Sequence, residues 1–283
     1  MIPIRVIRRR IRSIQNTAKI TKAMEMIAAS KMRQAQNRVL AGRPYAEKMR
    51  EVVGHLALQA QPGEELHPLL QRREVKRIGV IHVTADRGLC GGLNANVNRM
   101  TANFISQQTV PVAAVPVGKR GISFMSRFAA EVVAEFTQLG DKPSLLDTLS
   151  ISRVVIDEYT GGSLDRVYVA YNKFLSTVNQ QPIMFEILPI EPPAAEHPAA
   201  VEYIYEPSAP GVLAHLLPRY VEMQVYHAIL ESIASEQSAR MVAMRNATDN
   251  AYEMIDELTL VLNKARQETI TKELLDIAGG IQE

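Results

Sequence analysis

Residues 4–39 read IRVIRRRIRSIQNTAKITKAMEMIAASKMRQAQNRV, and this stretch decides the fold. Alternating steps of three and four from Ile4 land on Ile7, Ile11, Ile14, Ala18, Thr21, Glu25, Ala28, Met32, Ala35 and Val39. Nine of these eleven positions are apolar, which is the seam of a helix built to pair with another helix. Pro44 is a place for a kink, yet the pattern resumes through Met49, Val53 and Leu56 before Gln61, Pro62 and Gly63 end it.

The other end of the chain repeats the design. Met241, Met244, Thr248, Ala251, Ile255, Leu258, Leu262, Ala265 and Thr269 keep the same spacing, and Leu213, Leu217, Tyr220, Val225, Ile229 and Ile233 carry an apolar pattern back toward Pro210. No proline or glycine interrupts residues 219–278. A helix of roughly 60–70 residues is expected there, about 90–105 Å long, and its seven-residue repeat implies a left-handed supercoil. Two such helices at opposite ends of one chain pair most simply with each other. A domain between them returns the chain, so the pair is antiparallel.

Between the helices the pattern is α/β. Strands are expected over 75–83, 110–117, 131–136, 164–176 and 182–190, and helices up to about 107, over 119–128 and over 143–159. Strands alternating with helices indicate a largely parallel, Rossmann-like sheet. Seven of the fifteen prolines fall in 182–210 and mark an irregular connection. The organisation is therefore an N-terminal coiled-coil helix (1–60), a central α/β domain (75–190), a proline-rich connection (191–210) and a C-terminal coiled-coil helix (211–283).

Composition narrows the chemistry. One cysteine, Cys90, excludes an internal disulfide framework and a multi-thiolate metal site. The six histidines include no pair spaced three or four apart, so a histidine zinc site is not expected. His82, on an apolar strand, reads as a satisfied core side chain. No run of 18 apolar residues suggests a bilayer span, and the start MIPIRVIRRR has neither the apolar stretch of a signal peptide nor the look of a transit peptide. The net charge of +2 hides thirteen basic residues against two acidic ones in residues 1–50. A block this basic expects an acidic partner: protein carboxylates, nucleic acid or anionic lipid. The filled apolar seam, and the absence of any Trp or Phe before Phe104, favour protein.

The sharpest local motif is Asp86-Arg-Gly-Leu-Cys-Gly-Gly-Leu-Asn94, a glycine-rich loop between a strand and a helix. Such loops can cradle phosphate on backbone N–H groups. This one matches neither G-x-G-x-x-G nor the Walker pattern, and its plainer reading is a tight turn whose glycines allow positive φ or close approach. Two readings stay open on residue types alone: an α/β nucleotide-binding enzyme using residues 86–94, and a basic coiled-coil nucleic-acid binder.

The motifs in order also resemble a known family. Residues 11–32, the loop 86–94, the run Ser235-Glu-Gln-Ser-Ala-Arg-Met through Asn250, Asn263-Lys-Ala-Arg-Gln267 and Ile270-Thr-Lys-Glu-Leu-Leu-Asp276 are similar to the γ subunits of F-type ATP synthases. The likeness covers essentially the whole chain, which closes differently from the family pattern, with Gly280-Ile-Gln-Glu283. It implies a rotor shaft with no catalytic, cofactor or metal residues of its own. The partners it implies are the α and β subunits of the catalytic hexamer, the ε subunit and the membrane c-subunit ring, with no nucleic acid. Contact with the β subunit is implied for Lys19, Lys22, Met24, Lys31, Arg266 and Gln267. An apolar rotor tip is implied for Leu274, Leu275 and Ile277, and contact with the c-ring and ε for Tyr203, Tyr205 and Glu206. The expected location is peripheral, on the cytoplasmic face of a bacterial cell membrane, held there through the c-ring.

Overall fold

The computed structural model describes residues 3–58, 67–128, 131–191 and 208–279. Two long helices open and close the chain: α1 (Ile4–Leu58) and α5 (Ala209–Gly279). Each contributes to two compact units, one made of residues 1–29 with 240–283 and the other of residues 30–239.

In the first unit the predicted seam is the buried face. Ile7, Ala18, Thr21, Glu25 and Ala28 of α1 are buried, as are Met241, Met244, Thr248, Ala251 and Ala265 of α5. The two positions that broke the apolar pattern, Thr21 and Glu25, both face α5. The hydroxyls of Thr21 and Thr248 lie 2.7 Å apart, and Arg245 Nε donates to Glu25 Oε1 at 3.0 Å. As the residue number rises on α1 it falls on α5, so the pair is antiparallel.

The second unit is a three-layer α/β structure. Its strands are β1 (Ile78–Val83), β2 (Val112–Val117), β3 (Glu131–Val132), β4 (Arg166–Phe174) and β5 (Gln180–Leu188), in sheet order β3-β2-β1-β4-β5. β1 pairs in parallel with β2 and β4, and β2 with β3. The helices α2 (Leu93–Gln107) and α3 (Lys119–Phe128) follow the strands that step one way across the sheet, and α4 (Leu145–Thr160) follows the step back past β1. Right-handed crossovers put helices of opposite steps on opposite faces. Ile78, Val80 and Ala170 accordingly pack with Val97 of α2. Ile81, Val83, Val167 and Val169 pack with Ile151 and Val155 of α4, Met49 and Val53 of α1 and Leu217, Val221 and Ile229 of α5.

Four expectations shift at their edges. β5 runs antiparallel to β4 through a hairpin in which Leu175 and Ser176 both donate to the Asn179 carbonyl, which also ends β4 at Phe174. β1 begins at Ile78 because the N–H groups of Lys76 and Arg77 go to the Asp165 carboxylate at 2.8 and 3.0 Å. β3 shrinks to two residues plus an isolated bridge from Val117 to Phe136, as suits an exposed edge. α4 starts after Ser144, whose N–H donates to Asp147 Oδ2 at 2.7 Å, so Pro143 lies outside it. Pro44 and Pro218 sit inside α1 and α5, and both helices continue through them.

One glycine is indispensable. Gly118, at the end of β2, has φ 94°, and a Cβ there would lie 2.2 Å from the Thr84 carbonyl oxygen. Gly118→Ala is expected to lower stability by at least about 2 kcal/mol. Gly91, at φ 58°, has nothing within 4 Å of an added Cβ, so Gly91→Ala is expected to cost only about 1 kcal/mol. Urea unfolding of the two variants side by side measures the difference.

Candidate functional site

The glycine-rich loop was the strongest chemical motif, and its geometry is that of a turn. Asp86, at its start, turns its carboxylate onto the chain itself: Oδ1 accepts from the Lys119 N–H at 2.9 Å and Oδ2 from the Gln138 N–H at 3.0 Å. That places a resident anion at the N-terminus of α3. The next donors of α3 are also taken, Arg120 by the Ala85 carbonyl at 3.2 Å and Gly121 by Thr84 Oγ1 at 2.7 Å. At the start of α2, Asn94 accepts from the Ala85 N–H at 3.0 Å and donates to Cys90 Sγ at 3.3 Å. A phosphate approaching α3 would meet the Asp86 carboxylate rather than free N–H groups.

Above the carboxyl ends of β1 and β2 lies a cleft of about 440 Å³, lined among others by Thr84, Asp86, Arg87, Lys119, Asp141 and Glu236. Such a crevice is where doubly wound folds hold ligands. Here it mixes acidic and basic side chains and has α5 along one wall, through Ile229, Ser232 and Ile233. Cys90 is buried between two left-handed positions, one filled by Gly91 and the other by a leucine: Leu89 has φ 63° and is 62% exposed. No sequence signal marked that residue. Among the described residues no cluster of His, Cys, Asp and Glu could hold a metal ion.

His82 is a satisfied core side chain, as its strand position suggested. It is fully buried, with Nε2 2.8 Å from Asn98 Oδ1 and Nδ1 3.0 Å from Thr101 Oγ1. Which ring nitrogen donates depends on the tautomer, and the Thr101 hydroxyl donates to the Val97 carbonyl at 3.0 Å. Burial pushes its pKa down to about 4, partly opposed by the Asn98 hydrogen bond.

Of the residues that the family resemblance singled out, Lys19, Lys22, Met24 and Lys31 lie on α1, and Arg266, Gln267, Leu274, Leu275 and Ile277 on α5. Lys19 is exposed, Met24 half-buried, and Arg266 and Gln267 exposed on α5. Lys22 Nζ donates to Glu25 Oε2 at 3.0 Å. That hydrogen bond, and then Arg245, hold the Glu25 carboxyl below its usual range against the opposing effect of burial. Lys31 differs from the others, because its ammonium reaches Asp141 Oδ2 at 2.7 Å within the α/β unit. Leu274 and Leu275 are 61% and 66% exposed. Tyr203, Tyr205 and Glu206 lie outside the described residues, as does the Ile277 side chain. Arg5, Arg8, Arg9, Arg10 and Arg12 all face solvent. The sequence did not reveal Arg245 or Thr248 as partners of the seam's polar positions, although the break in the apolar pattern marked where to look.

His82 gives a pH signature with a definite sign. The unfolded chain takes up a proton near pH 6.5 and the folded chain only near pH 4, so stability is lost as pH falls through that window, by up to about 3 kcal/mol. In urea titrations, the midpoint of the wild-type chain is expected to fall more steeply between pH 6.5 and 4.5 than that of His82→Leu.

A family model described as ATP synthase matches residues 3–282. An ATP synthase gamma chain of Dehalococcoides mccartyi (strain CBDB1) is 61% identical over 280 residues, covering 99% of this chain and 98% of its own. One from Bordetella avium is 48% identical over 98% of each chain. The central stalk and c-ring structure of the Tetrahymena thermophila mitochondrial ATP synthase contains a chain 27% identical, with a TM-score of 0.61 over 81% of this chain and 99% of that one. A chain of the Euglena gracilis mitochondrial ATP synthase rotor, 18% identical, shares the fold with a TM-score of 0.69 over 94% of this chain and 98% of that one. The paired terminal helices, the self-capped glycine loop and these near full-length matches agree: the chain belongs to the ATP synthase gamma chain family.

Proposed function

We propose that this chain is the central-stalk rotor of an F-type ATP synthase, coupling proton-driven rotation of a c-ring to nucleotide-affinity changes in catalytic β subunits. It is not itself a catalyst. The observation that carries this reading is the antiparallel helix pair, whose seam is made of small and flexible side chains such as Ala18, Ala28, Ala251, Met241 and Met244. Outside the seam the pair leaves large apolar side chains uncovered. Ile20 and Met26 are each 61% exposed and Leu260 is 72% exposed. Apolar surface of this kind calls for a surrounding partner, and the α and β subunits of the catalytic hexamer suit that role.

Lys19, Lys22 and Met24, with the basic first turns of α1, are assigned to an acidic segment of the β subunit, and Arg266 and Gln267 to a β-subunit loop gripping α5. Lys31 joins them with less freedom, since Asp141 already engages it. Leu274, Leu275 and Ile277 are assigned to an apolar tip. No strong polar pair there would hold one angle, so the tip can turn in a hydrophobic sleeve. Tyr203, Tyr205 and Glu206 are assigned to the c-ring and ε. No described helix is long and apolar enough to cross a membrane; membrane association through the c-ring, on the cytoplasmic face of a bacterial cell membrane, follows from this reading.

Mixing the chain with the α and β subunits of its source is expected to give a particle of three α, three β and one copy of this chain by native mass spectrometry. Its ATP hydrolysis should depend on the chain. Absence of that particle, together with nucleotide or DNA binding by the lone chain, would overturn the assignment.

A further inference from the structure

Most of α5 within the α/β unit is held by apolar contacts, through Leu217, Val221, Val225 and Ile229. The contacts change character near residue 235. Ser235, Gln237 and Ser238 are buried polar residues, and each makes a directional bond to a different part of the α/β unit. Ser235 Oγ donates to the Asn172 carbonyl at 2.8 Å, at the end of β4. Ser238 Oγ donates to the Thr177 carbonyl at 2.7 Å, in the β4–β5 hairpin. Gln237 Nε2 donates to Asp141 Oδ1 at 3.2 Å, in the loop before α4. The other oxygen of the same carboxylate takes the Lys31 ammonium of α1 at 2.7 Å.

The placement around the helix matters. Successive residues of an α-helix are about 100° apart, so Ser235 and Ser238 share one flank while Gln237 lies on the far side. Apolar packing is non-directional and gives little resistance to turning about the helix axis. Hydrogen bonds on opposed flanks resist it, and those to charged groups are the stronger ones. Asp141 is the only one of these partners that binds both long helices, through one oxygen each.

We propose that Asp141, with Ser235 and Ser238, forms a torque collar that fixes the rotational angle of α1 and α5 within the α/β unit. Asp141 is a positioning residue, acting on coupling through the two helices. This deepens the rotor reading and rests on it.

The test uses the hexamer of α and β subunits assembled with this chain, carrying Leu146→Cys on α4, where Leu146 is 76% exposed, as the attachment point for a bead. The angular spread of the bead during a catalytic pause is compared with and without Asp141→Ala. The expected result is a mean-square spread broadened by about twofold or more, with unloaded ATP hydrolysis within about twofold of the parent. Asp141→Asn, which keeps an acceptor for Gln237 but not the charge for Lys31, is expected to fall between; it carries the measurement if Asp141→Ala does not assemble. Leu164→Ala, a core truncation away from the collar, is the control for loosening of any kind and is expected to leave the spread unchanged. An unchanged spread in the Asp141 variants, or equal broadening in Leu164→Ala, overturns the collar. Failure of the parent complex to rotate would instead overturn the rotor reading itself.

Discussion

The structure depends on two chain ends, more than 200 residues apart in sequence, closing on one another in a fixed register. The seam that joins them is rich in alanine and methionine, whose apolar contacts alone would tolerate a slip by a heptad. Two polar layers remove that tolerance. Thr21 meets Thr248 at 2.7 Å, and Glu25 meets Arg245 at 3.0 Å with Lys22 beside it. Both cations are more than half exposed, so the net stability from these pairs is small, about 1 kcal/mol or less. Their weight lies in the alternatives. A one-heptad slide would set Glu25 at the level of Tyr252 or Ser238 and take Arg245 away from the buried carboxylate, leaving it only Lys22 of its own helix, a loss of about 1–3 kcal/mol. A weak pair thereby fixes register, the role for which buried polar positions in helix seams are best known.

The α/β unit shows how a ligand-binding architecture can be put to mechanical use. Its sheet reverses direction beside β1, and a cleft of about 440 Å³ opens at the carboxyl ends of β1 and β2, as in folds that bind nucleotides. The positive end of α3, which would serve a phosphate elsewhere, is satisfied by Asp86, and α5 lines the cleft with Ile229 and Ser232. The same carboxylate also holds Gln138, so the loop leading toward Asp141 is anchored by the group that removes the anion site. The fold's usual chemical opening has become part of the packing between sheet and helix.

Much of this was legible in the sequence because its signals were long and periodic. Every position of both predicted seams is buried or half-buried, since a heptad sustained over four or more turns has one face to hide. The helix over 119–128 is met at both ends. Shorter elements were displaced where a single side chain captured backbone groups, as Asp165 does ahead of β1 and Asp147 at the start of α4. The antiparallel β5 could not be read from its own residues, because Pro182 and Met184 fit an edge strand of either direction. Of the candidate site, the positions on the helices were readable through their motif. Their partners were not: Lys31 stood out as one more basic residue, and nothing near Asp141 in the chain announces that it receives Lys31 from 110 positions away.

The sequence by itself determined that two long amphipathic helices flank an α/β sheet, that the basic charge lies at one end, and that a single cysteine allows no internal disulfide. These follow from periodicity and composition, which are local properties of the chain. Tertiary structure alone decided which seam residues meet, that the glycine loop closes on Asp86, and that Asp141 joins both helices. Those are choices between partners far apart in sequence, made by burial: a polar group taken from water accepts whichever donor or charge the packing brings within about 3 Å, and that cannot be known until the packing exists.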